Sequence, residues 1–184
     1  MRLLGISRTV RKLVSILDEA KIPYMIIGGY ALAAYGRIRT TQDVDIAIDA
    51  SFPDVVRTHE LLRMNGFQLP SSPQPDAPLF LVTDPENLVE IEVWTEPDGV
   101  VFDTDLLNRR VRVRPFGNDF EAFVIGPEDF IVNKLAKRSR EVQDEQDAVS
   151  VLKRQGGKLD HNYLTKRAKQ AKVLGLLQTL MQEL

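Results

Sequence analysis

Apolar positions Leu3, Leu4, Ile6, Val10, Leu13, Val14, Ile16 and Leu17 recur at close to helical spacing, and predict an amphipathic first helix that Lys21 to Pro23 ends. "YMIIGG" follows as a short, continuously apolar, β-rich run closed by two glycines; "YALAAYG" then has helical composition and stops on a glycine. Strand, turn and helix are the expectation there. "VDIAID" reads as a second strand. Ser51 and Pro53 open a helix that runs to about Asn65, where Gly66 stops it, and Pro70, Pro73, Pro75 and Pro78 mark a loop. Four further apolar runs, "LFLVT", "LVEIEVWT", "RVRVRPF" and "EAFVI", are separated by Asp, Asn, Pro or Gly and predict strands. From Pro127 the pattern changes to three helices: "PEDFIVNKLAKRSR", "VQDEQDAVSVLKRQ" stopped by Gly156 and Gly157, and "DHNYLTKRAKQAKVLGLLQTLMQEL" capped by Asp160. The expected fold class is therefore α+β, a small mixed sheet with helices over residues 1–126 and a helical region over 127–184. No internal repeat or low-complexity segment interrupts it.

Composition narrows the chemistry. With 184 residues, 43% hydrophobic and 27% charged, the chain can bury a sizeable core. Its 24 basic and 26 acidic residues leave a net charge of −2, so no global positive field gathers nucleic acid or an anionic membrane. There are no cysteines, which excludes disulfides and thiolate metal sites and leaves oxygen or histidine ligands for any metal. The opening stretch is broken by Arg8, Arg11 and Lys12 and lacks the apolar run of a signal peptide or spanning helix; a cytoplasmic protein is the expectation.

Against that background, Asp43 and Asp45 sit one residue apart inside an apolar strand. Alternation puts both carboxylates on one side and Val44 and Ile46 on the other. Such a pair is either a solvated strand edge or the oxygen ligand set of a hard divalent cation. Gly28 and Gly29 either supply a turn with positive φ or let a phosphate approach backbone N–H groups without meeting a Cβ. Arg37, Arg39, Thr40 and Thr41, between the two elements, are donors suited to phosphate oxygens or plain loop surface. Glu90 and Glu92 share one face of a later strand, where one of them can supply a third acid able to ligate metal and accept a proton, unless both decorate a wet face.

These residues together resemble the nucleotidyltransferase superfamily with the polymerase-beta-like fold: apolar-Gly-Gly, thirteen intervening residues, Asp-apolar-Asp-apolar, then apolar-acid-apolar. "IPYMIIGGYALAAYGRIRTTQDVDIAI" with the later "NKLAKRSREVQDEQDAVSVL" is similar, more narrowly, to the small AbiEii-toxin-type nucleotidyltransferases, over about residues 5 to 155. The resemblance implies a mixed sheet flanked by helices and a cleft completed by the C-terminal helices. It implies that Gly28 and Gly29 hold nucleotide phosphates, assisted by Arg37, Arg39 and Thr40. Asp43, Asp45 and a third carboxylate would bind two Mg2+ or Mn2+ ions. "IEVWT" matches the family pattern best and points to Glu92, with Glu90 still open; the family more often carries Asp there. Lys134 would face the triphosphate, and Asp144 and Asp147 would orient Lys134 or the substrate. The implied reaction moves a nucleoside monophosphate from an NTP to an acceptor hydroxyl on tRNA, a protein or a small molecule. A toxin with a cognate antitoxin is one form of that expectation, and a catalytically inactive nucleotide-binding or protein-interaction module is the alternative.

The residues around this set carry plainer expectations. Lys134 and Arg138 are placed on one helix face, facing Asp144 and Asp147 on the next, as a surface ion-pair set or as site residues. Lys137 and Arg140 read as solvated charges. Arg110, Arg112 and Arg114 alternate with Val111 and Val113 on an exposed strand, and the basic run from Lys153 to Lys172 as a solvated face more than an RNA contact. His59 and His161 lack a second histidine at metal spacing, so zinc is not expected. Trp94 and Phe80 are expected in the core. A Walker lysine, a G-x-S-x-G elbow and a thiol nucleophile are all missing.

Overall fold

A computed structural model describes residues 2–38, 43–69, 72–117 and 120–184, with Arg2 and Leu3 described by backbone alone. Six strands form one mixed sheet: β1 (Tyr24–Ile27), β2 (Val44–Ile48), β3 (Leu79–Asp84), β4 (Val89–Trp94), β5 (Val111–Val113) and β6 (Ala122–Val124), in the order β3-β4-β2-β1-β6-β5. Pairing is antiparallel for β1 with β2, β3 with β4 and β5 with β6, and parallel for β2 with β4 and β1 with β6. The helices are α1 (Arg2–Glu19), α2 (Gly28–Ala34), α3 (Phe52–Met64), α4 (Thr104–Arg109), α5 (Pro127–Ala136), α6 (Val142–Gln155), α7 (His161–Gln170) and α8 (Leu174–Gln182). The expected α+β architecture is the one observed.

Local chemistry explains most boundaries. Ser51 caps α3 through a reciprocal box with Asp54, Pro53 sits in its first turn, and Gly66, at φ +82°, ends it in the left-handed region. Asp160 caps α7 by accepting from the Tyr163 N–H at 3.0 Å.

Two boundaries depart from expectation. The long C-terminal helix is broken into α7 and α8, because Lys172 adopts φ +60° and the Val173 and Lys172 N–H groups fold back onto the Ala168 and Lys169 carbonyls. That is the glycine-type helix stop made by a lysine, so composition hides it. Second, α4 occupies a stretch expected to be a connection; Asp103 caps it by accepting from the Leu106 N–H at 2.8 Å.

Strand alternation sorts the two faces of the sheet. Val44 and Ile46 lie in register with Ile91 and Val93, which pair onward with Val82 and Phe80; all six are buried on one face. Helix α1 covers that face, where Thr9 donates to Asp84 at 2.5 Å, and α3 lays His59 against Phe80 with ring centroids 4.3 Å apart. The other face carries Asp45, Glu92 and Trp94. Beyond it, helices α6 and α7 each pack on α5. No helix of the described residues is long and apolar enough to cross a membrane.

Candidate active site

Register alone brings the first three groups together. Ile27, the residue before Gly28, stands opposite Asp45 in the antiparallel β1–β2 pair, and Asp45 stands opposite Glu92 in the parallel β2–β4 pair. Neighbouring strands are about 4.8 Å apart, so Gly28, Asp45 and Glu92 occupy adjacent rungs at one end of the sheet. Gly28 has φ +66°, and a Cβ there would fall inside the Asp45 carboxyl group, with Cγ at 2.9 Å. Glycine is required at this position on both counts.

These residues open onto a cleft of about 410 Å3. Gly28, Gly29, Asp43, Asp45, Glu92 and Trp94 line its sheet side. Asn133, Lys134, Lys137 and Asp144, from α5 and the segment leading through α6, line the opposite side. Glu90 is exposed and absent from the lining, so of the two glutamates the cleft takes Glu92.

Electrostatics set the sheet side apart. Burial, the Asp45 charge, a hydrogen bond shared with Asp45 and the Asp43 charge push the Glu92 carboxyl up. The indole N–H of Trp94 lacks a completed hydrogen bond but lies near enough to Glu92 to offset part of that rise. The oxygen-only chemistry of these acids fits a hard divalent cation. Among the described residues, no three His, Cys, Asp or Glu side chains stand at ligating spacing, so an ion would have to draw the carboxylates in.

On the helical side, Lys134 is buried and donates to Asp144 Oδ1 at 2.9 Å, and its Nζ lies 3.2 Å from Asp147 Oδ2. Burial pushes Asp144 upward, but the hydrogen bond and charge of Lys134, the Glu141 N–H and Lys137 hold it below the usual carboxylate range. Asp147 is wholly buried, accepts from Gln143 Nε2 at 3.0 Å and faces Arg37 Nη1 at 3.4 Å. Arg37, expected among phosphate donors, is thus engaged with Asp147 and is not in the cleft lining. Arg39, Thr40 and Thr41 lie outside the described residues.

Several expectations need correction. The Lys134 set is buried between helices and not on the surface, because α5 and α6 pack closely. Arg138 is beyond the end of α5 and almost fully exposed, pairing with Asp98 at 3.3 Å instead of sharing a face with Lys134. Lys137 and Arg140 are not free charges: Lys137 reaches Asp144 at 3.2 Å and Arg140 reaches Glu145 at 2.9 Å. Within the basic C-terminal run, Arg167 is buried in a bidentate pair with Asp103 at 2.6 and 2.8 Å. Phe80 is core as expected, and Trp94 packs against the core while also lining the cleft. Trp94 was legible by alternation, two residues beyond Glu92 on the same face. Asn133 carries no such signal; its amide donates to the Asp98 carbonyl at 2.8 Å and ties the segment after β4 to α5.

Residues 6–173 match the family model described as "nucleotidyl transferase of unknown function" (DUF2204). The chain belongs to this family. None of the curated proteins matches it in sequence. The fold of this family member is similar to that of the antibiotic-resistance factor ANT(2'')-Ia in solution, with TM-score 0.57, 16% identity and 97% of each chain covered. Lincomycin-bound LnuA, a lincosamide antibiotic adenylyltransferase, matches with TM-score 0.53 and 12% identity over 78% of this chain and 94% of its own. An antigenic nucleotidyltransferase-like protein from Paracoccidioides brasiliensis matches with TM-score 0.53 and 21% identity over 96% and 92%. At these identities the likeness is one of fold.

Proposed function

We propose that the protein is a divalent-metal-dependent nucleotidyltransferase, moving a nucleoside monophosphate from an NTP to the hydroxyl of a small-molecule acceptor. One observation carries the reading: Gly28, Gly29, Asp43, Asp45, Glu92 and Lys134, drawn from β1–α2, β2, β4 and α5, line a single cleft. Family membership supports the same reaction class.

Asp43, Asp45 and Glu92 would hold Mg2+ or Mn2+, two ions in the full form of the reading, whose chemistry is to lower the pKa of an acceptor hydroxyl and offset phosphate charge. The protein's own groups do the rest. Gly28, lacking a Cβ, leaves room for the Asp45 carboxyl to sit against the β1–α2 turn, where phosphates would approach. Glu92, in register with Asp45 on the neighbouring strand, would take the acceptor's proton. The acceptor oxygen forms its bond to the α-phosphorus as the bond from that phosphorus to the bridging oxygen breaks, and pyrophosphate leaves. Lys134 balances charge on the departing phosphates. The helices of residues 127–184 form the far wall and select the acceptor, which makes residues 1–126 the catalytic core.

A small acceptor is preferred over tRNA because of the size of the cleft, about 410 Å3; of the basic C-terminal run, Arg167 is buried and Lys166 pairs with Asp105 at 2.7 Å, while Lys153, Arg154, Lys158, Lys169 and Lys172 are exposed. LnuA, a lincosamide antibiotic adenylyltransferase of similar fold, takes an acceptor of this size.

Incubation with each α-labelled NTP, Mn2+ or Mg2+, and fractionated small-molecule and RNA pools tests the proposal. Label is expected in a small-molecule fraction, with transfer lost in Asp43→Ala and Asp45→Ala. Tight nucleotide binding with no transfer to any fraction would instead identify a non-catalytic nucleotide-binding module.

A further inference from the structure

Arg37 has two candidate tasks: touching phosphate itself, or shaping the group that does. The geometry favours the second. Asp147 divides its oxygens, with Oδ1 facing both Arg37 Nη1 at 3.4 Å and Gln143 Nε2 at 3.0 Å, and Oδ2 facing Lys134 Nζ at 3.2 Å. Lys134 also donates to Asp144, which Lys137 contacts at 3.2 Å. Among the described residues, three cations therefore alternate with two carboxylates across the interface between the segment after α2 and helices α5 and α6.

The charge count decides what Lys134 can do. An ammonium held by two buried carboxylates, with no other cation near them, has no surplus attraction for a phosphate. Arg37 and Lys137 each take up part of one carboxylate's charge. Arg37 also shares with Gln143 the task of fixing Oδ1, which aims Oδ2 at Lys134. Since Lys134 lines the cleft and Arg37 does not, the effect of Arg37 reaches the cleft through Asp147 and Lys134.

We propose that Arg37 is a positioning residue for Lys134, acting through Asp147, and that it makes no direct contact with the triphosphate. This rests on the reading of the cleft as an NTP site. The test is calorimetric binding of a non-hydrolysable NTP analogue in Mn2+ to the full chain. Arg37→Gln is expected to weaken binding about tenfold, a mid-range coupling for groups in one network. Adding Asp147→Asn, which removes the anion that Arg37 balances, is expected to restore affinity to within about threefold of wild type, and in a Lys134→Ala background Arg37→Gln should change affinity less than about twofold. A double variant as weak as Arg37→Gln, or an undiminished Arg37 effect without Lys134, overturns the proposal and leaves the NTP site standing. Failure of the wild type to bind the analogue overturns both. Arg37→Lys, which keeps the charge, should bind within about threefold of wild type and serves if the glutamine variant does not fold; a tenfold loss there counts against the proposal.

Discussion

Glu92→Gln should make the metal-free protein more stable and the metal-loaded protein less so. In β2 and β4 the carboxylates of Asp45 and Glu92 are direct register partners. Like charges placed opposite one another cost about 0.2–1 kcal/mol, and solvent screening at the half-buried Glu92 keeps the figure in the lower part of that range. The glutamine amide can in addition donate to Asp45, a hydrogen bond worth about 0.5–1.5 kcal/mol net. A gain near 1 kcal/mol corresponds to about 2–4 °C in Tm for a chain of this size. The sign with pH follows from the direction of the shift. Because the folded carboxyl is raised above its ordinary value of 4.5, its ionisation opposes folding. The penalty is full above the folded pKa and vanishes as the pH drops below the unfolded one, so the gain in Glu92→Gln should be present at neutral pH and fade toward pH 4.5. With Mn2+ at a hundred times its Kd the wild type should gain about 2.7 kcal/mol, most of which the variant forfeits. Thermal melts in EDTA and in Mn2+ should therefore cross: Glu92→Gln above wild type in the chelator, below it with the ion. A variant that is less stable in EDTA, or that responds to Mn2+ as the wild type does, refutes the assignment of Glu92 to a cation site.

Other consequences can be checked with the same preparations. Gly28→Ala places a Cβ in the left-handed region, costing about 1–2 kcal/mol, and drives it into the Asp45 carboxyl; urea unfolding should show the loss, and Mn2+ stabilisation should fall with it. Arg167→Met removes the cation from Asp129, which burial already pushes up to about 6 against the opposing effects of Tyr163 and Arg167. The expected loss is about 3–5 kcal/mol at pH 7.5, diminishing as the pH falls below about 6 and Asp129 takes up its proton, and a loss under about 1 kcal/mol at pH 7.5 would contradict the buried network. His59 is buried with both ring nitrogens unpartnered, and burial followed by the nearby Arg63 charge lowers its pKa. Its unfolded form takes up protons first, so wild-type stability should fall as pH drops through about 6.5, and His59→Leu should gain about 1 kcal/mol at neutral pH and lack that decline in chemical denaturation.

Much of the candidate site could be read along the chain because its chemistry is local. Asp43 and Asp45 are neighbours by strand alternation, the glycine pair ends the strand before them, and Glu92 sits on the same side of its own strand as Trp94. Boundaries set by short-range hydrogen bonding were legible for the same reason, as at Ser51, Gly66 and Asp160. The break at Lys172 was not, since a lysine in the left-handed region leaves no compositional mark. Nor was the fate of the cations: Arg37, Lys137, Arg140 and Arg167 look alike in a sequence, but each is assigned by which carboxylate the fold carries to it.

The sequence by itself determined the α+β class, the two-residue acidic motif and the glycine turn, all consequences of backbone periodicity and of what a missing Cβ allows. Tertiary structure alone decided that β4 lies beside β2, bringing Glu92 opposite Asp45, and that α6 packs on α5 to bury Asp147 between Arg37 and Lys134. Those pairings join residues far apart in the chain, and they follow from burial of the whole sheet and bundle, which no local pattern encodes.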